Sequence, residues 1–348
     1  MKIAFVINNI LTEWPDYTTT HLAYEAKKLE HEVWYMNVSD FSYDSDENVH
    51  ANAYSAALVD MASVTSFINS IRNSDKSKYY INVAELDVLM LRNDPAEDAQ
   101  TRPWARLAGI NFSRFAILNN VLVLNDPDGL SKAINKLYLQ IFPKEIRPET
   151  LITLDKKQIK EFAEKWGTIV IKPLVGSGGR NVFLLRSEDR PNMNQMLESV
   201  SRDGYIIAQE YLPEAVNGDV RVFLMNGELL KVDDKIAAFR RVRKNGDMRS
   251  NMTAGATSAP YEGSSTSLND LANKISPIVK QDGLFLTGID VVGDKIMEIN
   301  VFSPGGIESA NNFNGVNYTI AIINNIQNKV EHRANYSELS NVELASLA

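Results

Sequence analysis

A hairpin near the end of the chain constrains its fold most. The segment 288–300 reads GIDVVGDKIMEIN, two apolar runs around Gly293, Asp294 and Lys295, a pattern that predicts two antiparallel strands. Asp290, Glu298 and Asn300 place three hard oxygen donors in otherwise apolar strand, where they are costly unless something binds them. In the second strand, period-2 alternation puts Ile296, Glu298 and Asn300 on one face and Met297 and Ile299 on the other. A two-residue turn would set Asp290 and Glu298 on opposite faces. A three-residue turn, 293–295, sets them directly opposite each other with Cβ atoms about 5 Å apart. That register is the expectation. Two carboxylates and an amide oxygen suit an octahedral Mg²⁺ that keeps positions for phosphate, with Mn²⁺ as a substitute. The competing reading is an exposed edge with solvated acids.

The 348 residues allow two or three domains with real cores. A net charge of −8 argues against nucleic acid as a partner. Without cysteine, a thiol nucleophile, a disulfide framework and a Cys-type zinc site are all excluded. His21, His31, His50 and His332 show no metal-ligand spacing. No run approaches about 18 uninterrupted apolar residues, so no membrane span is expected. The opening segment 1–10 reads as a first strand and not as a signal peptide, and the expected compartment is the cytoplasm.

A strand at 2–7, a helix at 18–29 and a strand at 32–36 form a β-α-β opening, which predicts a parallel sheet. Further buried strands at 86–91 and 120–124 run into polar, Pro-punctuated loops. Ligands gather at the carboxyl ends of strands in open α/β sheets, so Arg92 and Asp94 are candidate substrate contacts, with plain turn chemistry as the rival reading. A helix is expected over 130–139, carrying Lys136, and another from an Asp155 cap through Trp166 to Gly167. From 168 onward, strands follow hairpin logic. The clearest case is 219–225 paired with 228–232 across Asn226-Gly227, so the second half reads as α+β. The last residues, rich in Asn, Ser and Glu, read as a surface helix and tail.

The segment 169–180, IVIKPLVGSGGR, ends a buried strand on Lys172 and continues into Gly176, Ser177, Gly178 and Gly179. An ammonium and several backbone N–H groups can converge there on a polyphosphate. The loop lacks Gly-Lys-Ser/Thr, so it is not a P-loop, and it lacks the dinucleotide fingerprint. Gln209, Glu210, Tyr211 and Leu212, ending at Pro213, read as a strand edge whose free backbone groups could read a purine. Asp219 and Arg221 share one strand face. They suit a ribose hydroxyl and a phosphate, or simply a cross-strand ion pair. Arg240, Arg241, Arg243, Lys244 and Arg249 form a basic cluster in an acidic chain. It reads as a lid supplying planar charged donors, with Asn245-Gly246 as a hinge.

In this order the elements resemble the ATP-grasp ligases, and within them the bacterial glutathione synthetase family. The resemblance rests on VLMLRNDP at 88–95, NKL at 135–137, PETLIT at 148–153, IKPLVGSGG at 171–179, AQEYLP at 208–213 and GDVRV at 218–222. It continues through MRSN at 248–251, GIDVVGD at 288–294 and EINVFSP at 298–304. It implies an α/β N-terminal substrate-binding domain (1–127) and an α+β ATP-grasp domain (128–327), with a smaller lid subdomain at about 137–207 and a tail (328–348). It further implies that Lys136 and Lys172 hold ATP phosphates, that 209–212 holds adenine, and that Asp219 holds the adenosine moiety. Asp290, Glu298 and Asn300 would bind Mg²⁺, Arg221 and Arg241 would stabilise the phosphoryl group, and Arg249 and Asn251 would belong to the closing loop. Ser303, Gly305 and Gly306 lie where small residues let backbone N–H groups approach an acceptor carboxylate.

The implied reaction joins γ-glutamylcysteine to glycine through an acyl phosphate. A different donor or acceptor is the alternative, and a homo-oligomer stays open. Two stretches depart from the family. Tyr17, Thr18, Thr19 and Thr20 stand where it carries an acidic Asp-Ser-Ser segment. Gly305, Gly306, Ile307 and Glu308 stand where it often carries Thr-Cys-Ile-Arg.

Overall fold

The computed structural model of the chain describes residues 1–73, 78–176, 178–243, 255–336 and 338–348. The apolar run at the start forms β1 (Lys2–Ile7), followed by α1 (Thr18–Lys28) and β2 (Glu32–Tyr43). β1 and β2 pair in parallel, the β-α-β unit expected. Next come β3 (Val49–Ser55), α2 (Val64–Arg72), β4 (Lys78–Asn82), β5 (Val88–Leu91), α3 (Pro95–Asp98), α4 (Ala105–Leu118) and β6 (Leu122–Leu124). The sheet order is β4-β3-β2-β1-β5-β6. β5 and β6 continue the parallel core, but β3 and β4 pair antiparallel, so the sheet is mixed. The link 44–48 is too short for a crossover and forces a hairpin there. The chain leaves β1 toward β2 on one side and returns to β5 on the other. The carboxyl ends of β1 and β5 therefore form a topological switch point.

The helix expected over 130–139 is broken in two. α5 (Pro127–Lys132) stops, and Asn135 then caps a separate 3₁₀ turn over Lys136–Ile141, its side chain accepting from Leu137 N at 2.9 Å. Asn competes with helical backbone bonding in this way and favours caps over helix interiors. β7 (Thr150–Thr153), α6 (Lys156–Trp166), β8 (Ile169–Pro173), β9 (Phe183–Leu185), α7 (Met193–Ser201) and β10 (Ile206–Glu210) follow. They build an antiparallel sheet in the order β7-β10-β8-β9. Ile159, Ala163, Leu197 and Val200 from its helices pack with Ile169, Ile171, Ile206 and Ala208 as a separate small core.

The last sheet is built from β11 (Asp219–Met225), β12 (Glu228–Leu229), β15 (Ala238–Val242) and β16 (Thr257–Pro260), then α8 (Ser265–Gln281), β17 (Leu286–Val292) and β18 (Lys295–Asn300). A small pair, β13 (Lys231–Val232) with β14 (Lys235–Ile236), interrupts the run. Asn226 and Gly227 do form the hairpin turn, both at positive φ. β12 nevertheless ends at Leu229, and β11 pairs with β15 and with β17 over more of its length than with β12.

The chain closes with α9 (Ile307–Asn314), α10 (Tyr318–Asn335) and α11 (Asn341–Ser346). The segment read as a surface tail is packed. Leu344 and Ala345 are buried, and Asn341 donates to Val123 O and Asp126 Oδ2 while accepting from Val123 N. Among the described residues, no helix is long and apolar enough to cross a membrane.

Candidate active site

Two clefts meet along the β17–β18 hairpin. One, about 1030 Å³, runs from Asp94 and Ala96 past the Lys136 turn to 297–303. The other, about 950 Å³, runs between the β8–β9 loop and the β11–β15 side. Lys136, Lys172, Gly176, Gly178, Gln209, Met297 and Glu298 line both.

The hairpin reaches the expected alignment by a different route. Val292 pairs with Lys295, so the turn has two residues, Gly293 and Asp294, and not three. A β-bulge then shifts the register, and Asp290 faces Glu298 and Gly288 faces Asn300. The extra residue that a bulge inserts restores the face that the short turn would have reversed. It also breaks the predicted alternation. Ile296 is buried in the core, whereas Met297 joins Glu298 in lining the clefts.

Charge is balanced tightly around this hairpin. Arg221 Nη2 donates to Asp290 Oδ2 at 3.1 Å, Arg241 Nη2 approaches the same oxygen at 2.7 Å, and Asn300 Nδ2 lies 3.4 Å from it. Burial would raise the Asp290 pKa, but the two guanidinium groups hold it down at about 2. Lys136 Nζ pairs with Glu298 Oε1 and donates to Gly176 O at 2.8 Å. Burial disfavours both of these charges, yet their mutual attraction keeps the Glu298 carboxyl below and the Lys136 ammonium above its usual range. Among the described residues, Lys172 donates to an amide, Gln209 Oε1, at 3.0 Å. Burial pushes it down to about 8, with Glu298 opposing the shift and Lys136 adding to it.

Other expected roles need correction. Arg241 is not in a lid loop but on β15, where it is 6 % exposed. Its planar fork closes on Asp219 at 2.6 and 2.8 Å. The charge run reads as a lid, but opposing Asp219 and Asp290 hold Arg241 buried in the sheet instead. Asp219 and Arg221 both serve cross-strand ion pairs, each with a partner on a neighbouring strand. β10 is not a sheet edge: β7 and β8 flank it, Glu210 N donates to Glu149 O and Tyr211 N to Thr168 O. Gln209, Tyr211 and Leu212 still line the second cleft, along with Gly179, Asp219 and Arg243. Ser177, Arg249, Asn251 and the hinge at 245–246 lie outside the described residues.

Arg92 points inward. It is 3 % exposed, lines neither cleft, and donates to Thr19 Oγ1 and Pro304 O, each at 3.1 Å. Burial lowers it to about 10, with Glu13 partly restoring it. Ser303 lines the first cleft, and Gly305 O accepts from Arg221 Nη1 at 3.1 Å. Gly306 sits at φ 98°, and a Cβ there would meet the Phe239 ring at 2.5 Å, so only glycine fits. Met297 and Arg180 were assigned no role from the sequence. Only the bulge brings Met297 to the cleft, but Arg180 directly follows the glycine loop.

Comparison with known proteins gives this geometry a family. The description "Prokaryotic glutathione synthetase, N-terminal domain" matches residues 1–131, and "Prokaryotic glutathione synthetase, ATP-grasp domain" matches 135–315. The chain belongs to the prokaryotic glutathione synthetase family. As a member of it, the protein is an ATP-dependent ligase with the ATP-grasp fold. The glutathione synthetase of Nostoc sp. (strain PCC 7120 / SAG 25.82 / UTEX 2576) is 30 % identical over 336 residues, covering 95 % of this chain and 99 % of its own. That of Vibrio vulnificus (strain CMCP6) is 32 % identical over 260 residues, covering 74 % and 78 %. Among solved structures, the ATP-grasp ligase PsnB complexed with minimal precursor, Mg and ADP aligns with a TM-score of 0.55 at 15 % identity, covering 94 % of this chain and 98 % of its own. In the ligase described here, Glu308, the departure from the family pattern, lies with its Oε2 3.5 Å from His21 Nε2.

Proposed function

We propose that the protein is a glutathione synthetase, joining γ-glutamylcysteine to glycine with conversion of ATP to ADP and phosphate. The observation that carries this reading is the convergence of Lys136, Lys172 and Glu298 on the seam between the two clefts. Lys136 and Lys172 would neutralise the polyphosphate, and the glycine loop at 176–179 would offer it backbone N–H groups. Asp290 and Glu298 are both anionic at neutral pH and face each other beside the Asn300 amide, a donor set that fits Mg²⁺. Bound there, Mg²⁺ would supply Lewis-acid neutralisation of phosphate charge.

Arg241 and Arg221 are held by fixed carboxylates, so their orientation needs no reorganisation when charge develops on a phosphoryl group. The donor carboxylate takes the γ-phosphoryl group and ADP leaves. The acceptor amine then attacks the acyl phosphate and phosphate departs. No nucleophilic side chain is needed. Arg92 acts through Pro304, fixing the loop that carries Ser303, Gly305 and Gly306. A second reading, a ligase with another acceptor, draws on Glu308: a carboxylate near that loop would repel the carboxylate of glycine.

ADP release with γ-glutamylcysteine and a panel of amines separates the two. Glycine should give the highest kcat/KM. A larger or uncharged-tail amine that matches it would establish the second reading, and absence of turnover with every peptide donor would overturn the first.

A further inference from the structure

Lys136 enters both clefts from the 3₁₀ turn 136–141. A turn this short has poor hydrogen-bond geometry and little stiffness of its own. Its supports come from elsewhere. Lys136 N donates to Leu174 O at 3.2 Å, and the Tyr138 hydroxyl donates to Asp282 Oδ2 at 2.7 Å. Asp282 caps the end of α8, is 5 % exposed, and holds Lys132 Nζ of α5 on Oδ1 at 2.5 Å.

A buried carboxylate at a helix C-terminus is disfavoured by both the macrodipole and desolvation. Ending the helix does not require one. The Asp282 N–H already closes on Ile278 O at 3.0 Å, and Gly283 at φ 59° supplies the left-handed exit. What the carboxylate does is join α5 to the Lys136 turn, two pieces of chain that Asn135 separates. The contact is close: a Cβ on Gly129 of α5 would lie 1.8 Å from Asp282 O. The end of α8, α5 and the turn thus form one block behind Lys136.

We infer that Tyr138 and Asp282 are positioning residues for Lys136, fixing where its ammonium meets the nucleotide phosphates; this rests on the reading of Lys136 as a phosphate ligand. Tyr138→Phe deletes one hydroxyl and keeps the ring against Phe142. ADP affinity by calorimetry and KM for ATP should each weaken about fivefold, the weight of one hydrogen bond. The same variant should change kcat by less than about twofold. Asp282→Ala should repeat this loss, and Asp282→Asn, which keeps an acceptor for Tyr138, should recover most of the affinity.

If Asp282→Ala does not fold, Tyr138→Phe decides. Wild-type ADP affinity in a folded Tyr138→Phe protein overturns the inference and leaves Asp282 a structural brace. Lys136→Met is measured alongside. Unchanged ADP affinity there would overturn the phosphate reading itself, while a loss there with a normal Tyr138→Phe overturns positioning alone.

Discussion

Of the two cleft lysines, Lys172 is the one whose charge changes just above neutral pH. It is half-buried against an amide, and burial lowers its pKa to about 8. A polyphosphate favours the ammonium, so above that pH binding must first take up a proton. Nucleotide affinity should therefore fall as pH rises through about 8, by up to about tenfold per pH unit, until the raised pKa of the bound state is passed. Lys172→Arg keeps the charge throughout and should flatten the curve. Calorimetric titration of ADP between about pH 6.5 and pH 9.5, in buffers of different ionisation enthalpy, reads both affinity and proton uptake. Parallel curves for wild type and variant would show that Lys172 does not meet the phosphates. Neighbouring Lys136 should add little to this slope, because Glu298 holds its pKa up.

The β17–β18 hairpin shows at the level of an element what the sequence carried and what it hid. Its apolar runs, the place of its turn and three polar intruders were all legible, and so was the facing of Asp290 and Glu298, but the turn is one residue shorter than expected. The bulge was not legible. A two-residue turn and a three-residue turn look alike in one-dimensional pattern, and the choice falls to packing: Ile296 is 1 % exposed within the core. A local competition also explains the broken helix at 133–135, where the segment looks helical but the Asn135 cap prevails. The bulge makes a clear prediction. Ile296→Ala should cost about 2–5 kcal/mol of stability with a small change in KM for ATP. Met297→Ala should cost little stability and raise KM for ATP. Denaturant unfolding and steady-state kinetics of the two variants test it. Strict alternation without the bulge requires the reverse pattern.

At the scale of the whole molecule, the N-terminal sheet and the β11–β18 sheet share cores. Leu89 and Val123 belong to one cluster with Val222, Ile289 and Leu271. Periodicity could announce the strands on each side but not that they share an interior. The C-terminal segment was misread for a related reason. Its Asn, Ser and Glu content resembles a solvated tail, while the burial of Leu344 and Ala345 depends on a surface formed by distant chain. Lys329 closes that contact, donating to Leu344 O at 2.9 Å and to Leu347 O. Burial pushes its pKa down to about 7, from an ordinary 10.5. The sign follows: above about pH 7 the folded chain releases this proton before the unfolded chain does, so stability rises with pH, by at most about 1.4 kcal/mol per unit. The penalty is fully present below that pH. Glu13, raised by burial to about 7, has the opposite sign, but its effect is spent by then. Between about pH 7.5 and pH 9, Lys329→Met should make the rise in denaturation free energy shallower than in wild type, leaving the part that Lys172 adds above about pH 8, whatever its own absolute stability. Equal slopes in the two proteins would mean that Lys329 is charged in the folded state across this range, paired well enough with the α11 carbonyls to keep its proton.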